Sequence, residues 1–227
     1  MRNVTRTAKP GSLKRNATRW KKQLLDEIKK CKPGETVEDK HFDRYRNDDV
    51  KAALKTMYGE RCCYCEVNIT NITWEHIEHR KPKAIGLFPN LTFTWSNLHL
   101  ACPKCNNAKS DQWDNANPIL DAVKDAINDH LTYELSGVGL LRWHKSSRGD
   151  TTIIHADLDR ENLPITRLKL FAKLLKAIEG LNSALGEGVD ILDLRAKARK
   201  LNLESRDDFG SVVSWTIEKY LDDDLKP

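Results

Sequence analysis

Apolar positions recur at helical spacing early in the chain. Residues 1–11 are irregular, with a turn signal at Pro10-Gly11. Trp20, Leu24, Leu25 and Ile28 then share one face of a helix that Ser12 or a neighbour caps and Pro33-Gly34 ends. Val50, Leu54 and Met57 make a second stripe over Asp48–Tyr58, stopped by Gly59. Further on, Leu91-Thr92-Phe93-Thr94-Trp95 alternates like a short strand. Leu131–Leu135 and Leu140–Trp143 flank Gly137-Val138-Gly139 as a hairpin, and Thr151–Ile154 offers a third strand of the same small sheet. The helical period returns from Asp159, with Leu163, Leu168, Phe171, Leu174, Leu175 and Ile178 along one long helix ending at or soon after Gly180. Two shorter helices follow over Ile191–Leu201 and Asp207–Tyr220, without internal repeats. The expected fold class is α+β and mostly helical. Three regions are expected: helical 1–58, a cysteine-bearing unit at 59–118, and 119–227 with the small sheet and C-terminal helices. The stripes of those last helices suit either a partner or their own core.

Two Cys-x-x-Cys pairs, Cys62/Cys65 and Cys102/Cys105, bracket an insert rich in His, Glu and Asn. Each pair sets two thiolates within reach of one ion, and two pairs complete the tetrahedral sulfur set that zinc prefers. Four sulfurs leave no open position, so this zinc is a staple and the chemistry belongs to the insert. Cys63 could shift the first pair by one residue, although Cys62 has the better spacing, and Cys31 reads as an ordinary thiol.

The insert contains Glu75-His76-Ile77-Glu78-His79-Arg80-Lys81-Pro82-Lys83, then Trp95-Ser96-Asn97-Leu98-His99, and the second pair continues into Asn106, Asn107 and Lys109. An acid-His pair with Pro three residues on, then Asn-Leu and Cys-x-x-Cys-Asn-x-x-Lys, resembles the HNH endonuclease signature. The resemblance implies a ββα-metal core in which a hairpin and a helix grip one divalent cation. It places Glu78 where the family usually has Asp, His79 as the first catalytic His, Asn97 as the central Asn and Asn106 as the last metal-binding residue.

The same assignment can be argued from chemistry. A neutral imidazole can take a proton from water at cellular pH, which makes His79 the candidate base. A carboxylate and an amide oxygen, from Glu78 and Asn106, suit Mg2+ or Mn2+. Asn97 would brace the loop that carries His79. Lys109, one helical turn beyond Asn106, is a candidate phosphate contact, together with Arg80 and Lys83. Glu75-His76 repeats the acid-His pair upstream; in an extended segment His76 shares a face with Glu78 and could join the metal or orient a ligand. His99, between two leucines, reads as a strand residue.

The wider layout, from Met1-Arg2-Asn3-Val4 through Asn117-Pro118-Ile119-Leu120-Asp121 to the block from Thr152-Ile153 to Arg167, resembles the HNH subunit of Septu-type antiphage systems, whose relatives accompany some retrons. That implies an effector nuclease restrained by an ABC/SMC-type ATPase, in some systems with a retron reverse transcriptase and its DNA–RNA product as sensor. No P-loop pattern occurs, so nucleotide hydrolysis would reside in another chain. DNA is the default substrate, RNA such as tRNA an alternative, and a non-catalytic zinc adaptor for nucleic acid or a partner the rival of both.

Composition adds compartment and charge. No apolar run approaches bilayer length and the opening residues lack a signal peptide's apolar core, so a cytoplasmic protein with no membrane partner is expected. Six cysteines, four in metal spacing, fit a reducing compartment. The net charge of +5 hides an asymmetry, since the first 32 residues hold eleven Lys or Arg against Asp26 and Glu27. Such an arm can lie along phosphates or simply form a solvated helix face. Asp222-Asp223-Asp224 reads as a frayed, solvated end.

Overall fold

A computed structural model describes residues 1–32, 35–70, 75–204 and 209–226. The chain opens as an extended strap over residues 1–10, held by Val4 N–H to Ala122 O (2.9 Å) and by the Trp95 indole donating to Thr7 O (3.0 Å). Arg6 turns inward and donates to Leu98 O at 2.6 Å, so part of the basic arm is committed to the core. Helix α1 follows over Gly11–Lys30. Ser12 sits inside its first turn, and the cap comes from elsewhere: Asp49 accepts from the Ser12 amide and hydroxyl, both at 2.7 Å. The helix stops at Lys30; the expected stop at Pro33-Gly34 lies outside the described residues.

A short α2 (Asp39–Phe42) leads to α3 (Asp48–Tyr58), which ends at Gly59 in the left-handed conformation, φ 57°. Next comes β1 (His76–His79), antiparallel to β2 (Leu98–Ala101) in the register His76 to Ala101 and His79 to Leu98. The helix α4 (Pro103–Lys109) completes a ββα unit. The expected strand at Leu91–Trp95 is instead a chain of tight turns, with 3-10 segments at Pro89–Leu91 and Trp95–Asn97. Pro89 and Asn90 favour turning, the amides bond three residues back, and the apolar alternation serves burial: Phe93 packs edge-on to Trp20.

After α5 (Ile127–His130), β3 (Leu131–Ser136) and β4 (Gly139–His144) form the expected hairpin. Gly139 has φ 133°, and a Cβ there would lie 2.6 Å from the backbone of Pro164, so only glycine lets the hairpin seat on the following helix. The expected third strand at Thr151–Ile154 is helical, within α6 (Ser147–His155). Ser146 caps it by accepting from the Gly149 amide, and the hydroxyls of Thr151 and Thr152 bond back to Ser147 O and Arg148 O. The sheet therefore has two strands.

Three helices close the chain. Helix α7 runs Leu163–Gly186, starting at the first residue of its apolar stripe rather than at Asp159 and ending six residues past Gly180, α8 covers Ile191–Glu204, and α9 covers Gly210–Tyr220. Asp207, the expected start of the last, lies outside the described residues. One apolar core joins Leu13, Leu54, Leu100, Tyr133 and Phe171 from all parts of the chain. A second, with Leu174, Ile178, Leu194, Ala198, Val213 and Ile217, consumes the stripes of α7, α8 and α9 against one another. Leu221 and Leu225 belong to it, so the acidic tail is ordered as a 3-10 turn at Asp223–Leu225 while Asp222, Asp223 and Asp224 are exposed, as expected of a solvated end. Among the described residues no helix is long and apolar enough to cross a membrane.

Candidate active site

The residues from Cys62 onward turn tightly, with Glu66 N–H on Cys62 O (3.0 Å) and Glu66 itself at φ 66°. Cys63 N–H donates to Leu100 O at 2.7 Å and pins this knuckle to β2. From the other side, Cys102 caps α4. The sulfurs of Cys62, Cys65, Cys102 and Cys105 consequently lie within 4.8 Å of one another, all buried, and Cys63 stays out of the group. A tetrahedral zinc with bonds near ~2.3 Å sets its sulfurs about 3.8 Å apart. Cys65 and Cys102 are 3.8 Å apart, and all six cysteines are free of disulfides, so the group fits zinc. Among the described residues no other set of three or more Cys, His, Asp or Glu converges in this way.

A cleft of about 700 Å3 opens beside this staple, and Glu78, His79, His76, Asn106 and Lys83 all line it. Glu78 is buried; its Oε1 accepts from Lys109 Nζ at 2.8 Å and from the Tyr64 hydroxyl at 3.1 Å. Oε2 has no partner among the described residues. Burial raises the Glu78 carboxyl above its ordinary value, with Lys109 and Tyr64 pulling the other way, and a cation in the cleft would add to their pull.

Among the described residues His79 is paired through one nitrogen only. Its Nε2 lies 2.9 Å from Thr92 O, and a carbonyl can only accept, so Nε2 carries the proton and Nδ1 keeps a lone pair. Burial lowers its pKa to about 3 against the Thr92 bond, helped by the charges of Lys83, Lys109 and Arg46. The ring is neutral at cellular pH, and the Tyr45 ring holds it edge-on at 4.6 Å.

Asn97 lies beneath the turn that follows. Its Oδ1 accepts from Lys81 N–H at 2.8 Å, and its Nδ2 donates to Lys81 O at 2.9 Å. Asn106 is half-buried and makes no side-chain hydrogen bond among the described residues. Glu75 is committed to Lys55 at 3.3 Å, while His76 is half-buried in the cleft with its pKa lowered by burial and by Arg46.

Two expected phosphate contacts face elsewhere. Lys109 is fully buried, donating to His79 O at 3.0 Å besides its pair with Glu78, and cannot reach a ligand in the cleft. Arg80 donates to Ile119 O at 3.0 Å and lies over the Trp113 ring at 5.4 Å. His99 is a buried strand residue bonded to Tyr58, as its leucine neighbours suggest.

Residues 62–112 match the family model described as HNH endonuclease. The chain carries an HNH endonuclease domain. The chain is also similar, over more than the HNH segment, to two Septu proteins PtuB. That of Bacillus thuringiensis is 28% identical over 58% of this chain and 50% of its own length, and that of Bacillus mycoides 27% over 63% and 59%. An HNH endonuclease named for retron Vc95 of Vibrio cholerae is 28% identical over 56% of this chain and 65% of its own length. The matches thus cover about half to two thirds of these relatives, and no solved structure matches the chain.

Several residues around the HNH domain escape sequence pattern. Tyr64 holds Glu78 through its hydroxyl, a role that no pattern around the knuckle announces. Arg160 follows α6 and sends Nη1 to Cys105 Sγ at 3.2 Å and Nη2 to Cys102 Sγ at 3.7 Å, setting a cation beside the four-sulfur group. Nothing near position 160 signals that role.

Proposed function

We propose that this chain is a metal-dependent nuclease that hydrolyses nucleic-acid phosphodiester bonds, DNA foremost, as the effector of an antiphage system restrained by a partner ATPase. The observation that carries it is the pairing, in one cleft, of a neutral His79 whose Nδ1 is unprotonated with a Glu78 oxygen that no group among the described residues bonds. The Septu and retron names of the relatives support the defence setting.

His79 Nδ1 takes the proton of the attacking water, with the Nε2–H bond to Thr92 O holding the ring and its tautomer. The lowered pKa keeps the ring ready, and an incoming phosphate, being anionic, raises its basicity when a proton must be accepted. Glu78 Oε2 and the Asn106 amide oxygen would hold Mg2+ or Mn2+, a hard-oxygen donor set completed by water and phosphate. That cation would offset charge developing on the phosphate and leaving oxygen. Asn97 stabilises the turn after His79, and zinc in the four-cysteine site would hold the strands and helix together.

The test is cleavage of plasmid DNA and total tRNA by the purified chain, alone and with its neighbouring ATPase, in Mg2+ or Mn2+, beside His79→Ala. The expected result is cleavage by the wild type only, with equal zinc content in both; the substrate cut decides DNA against RNA. Normal cutting by His79→Ala would refute the base. Binding without cleavage under every condition would refute the enzyme and leave a zinc adaptor.

A further inference from the structure

The cleft has a wall that the HNH domain does not supply. Tyr45, Arg46 and Lys51 line it from the segment joining α2 to α3 and the first turn of α3, outside residues 62–112. Tyr45 is buried between the His79 ring and Lys83, whose Nζ is 3.3 Å from its hydroxyl. The Arg46 guanidinium lies over the Tyr45 ring at 5.8 Å, with 60% of its side chain open. Its ion-pair carboxylate, Asp43, is a loose 3.4 Å away and is also engaged by Lys83 at 3.1 Å. Lys51 is half-buried, and its ammonium makes no ion pair among the described residues.

The carboxylates nearby offset this wall only in part: Asp43 is shared between Arg46 and Lys83, and Glu75 feels Lys51 but is bonded to Lys55. Glu78 is held by Lys109, which leaves Asp111, just past α4, as the further acid of the cleft. Arg46 and Lys51 therefore present positive charge into the cleft. The arginine is stiffened by its aromatic neighbour, and such a guanidinium is suited to two-pronged binding of a phosphate.

We infer that Arg46 and Lys51 form a phosphate subsite for the nucleic-acid backbone beside the scissile bond, so that the N-terminal helical segment, and not the HNH domain alone, seats the substrate. This rests on the nuclease reading. The contacts are to phosphate and carry no base information.

The test uses the full chain in a His79→Ala background, which silences cleavage, with labelled duplex DNA, single-stranded DNA and an RNA hairpin as probes. Affinity is measured from about 50 to about 200 mM salt. Arg46→Gln and Lys51→Gln should each weaken binding roughly eightfold at ~0.1 M salt and flatten the log–log salt slope by about 1, whatever the probe sequence. Arg46→Lys should restore the slope while recovering only part of the affinity. Both sites are open or half-open, and unchanged zinc content reports an intact fold. Unchanged affinity and slope in both Gln variants, with the background still binding, would overturn the subsite alone. A background that binds none of the probes would overturn the nuclease reading and the subsite together.

Discussion

Lys109 Nζ lies 2.8 Å from Glu78 Oε1, with at most 5% of either side chain exposed. The same ammonium donates to His79 O at 3.0 Å, so one lysine fixes both the carboxylate and the backbone of the next residue. A buried pair is not stabilising in itself, because desolvation offsets most of the attraction, but removing one partner leaves a buried charge unpaired. Lys109→Met should therefore lower stability by about 3–5 kcal/mol in urea unfolding. Adding Glu78→Gln should recover part of that loss. Strict additivity of the two changes would show that the pair is not coupled.

The zinc staple predicts a different response from Arg160. Cys102→Ser removes a ligand and should abolish stoichiometric zinc binding along with cooperative unfolding. Arg160→Ala keeps all four sulfurs but strips the guanidinium that donates to Cys105 and Cys102. Zinc affinity should fall about 10–100-fold, read by competition with a chromophoric chelator, while the metal still binds stoichiometrically. Unchanged affinity would reduce Arg160 to packing.

His99 sets an acid limit on stability. Arg6 can only donate, so its contact with His99 Nε2 at 3.3 Å leaves the proton on Nδ1, which bonds the Tyr58 hydroxyl at 2.6 Å. Burial, with Arg6, Arg80, Lys109 and His79 nearby, holds its pKa well below the usual histidine range; Asp121, 4.0 Å from Nε2, is the nearby acid. The unfolded chain binds a proton near pH ~6.5 that the folded site refuses. Stability contributed here is complete above that pH and lost as pH falls, at about 1.4 kcal/mol per unit. Urea midpoints followed down to about pH 5 should show His99→Gln losing stability less steeply than the wild type.

What the sequence reveals tracks how local each signal is. The four cysteines converge because Cys-x-x-Cys spacing carries its own geometry, and the stripes of α3 and α7 emerge because apolar period and helix period coincide. Thr151–Ile154 misleads because β-branched residues read as strand, while the Ser146 cap and back-bonding hydroxyls decide for helix. Lys109 misleads as a phosphate contact, yet its spacing held the answer. It lies four residues from Cys105, which must face the buried sulfur cluster, so it inherits the buried face while Asn106 turns toward the cleft. Arg160 and Tyr45 reach their partners across the fold, and no local pattern encodes such contacts.

Asn97 separates positioning from binding. Its amide pairs in both directions with the Lys81 backbone, and its own carbonyl accepts from Arg80 N–H at 3.1 Å, so the turn leaving His79 is tied at three points to the residue just ahead of β2. Nothing places its side chain in the cleft. Asn97→Ala frees the amide and carbonyl of Lys81, letting that turn drift, and a displacement near ~1 Å of a reacting group can cost about 100-fold in rate. We expect kcat to fall by that order with KM nearly unchanged and zinc retained. Asn97→Asp keeps the acceptor for Lys81 N–H but sets a carboxylate against Lys81 O, so it should not rescue kcat. A matching rise in KM would instead mean that Asn97 touches substrate, and loss of zinc would mean that it supports the fold as a whole.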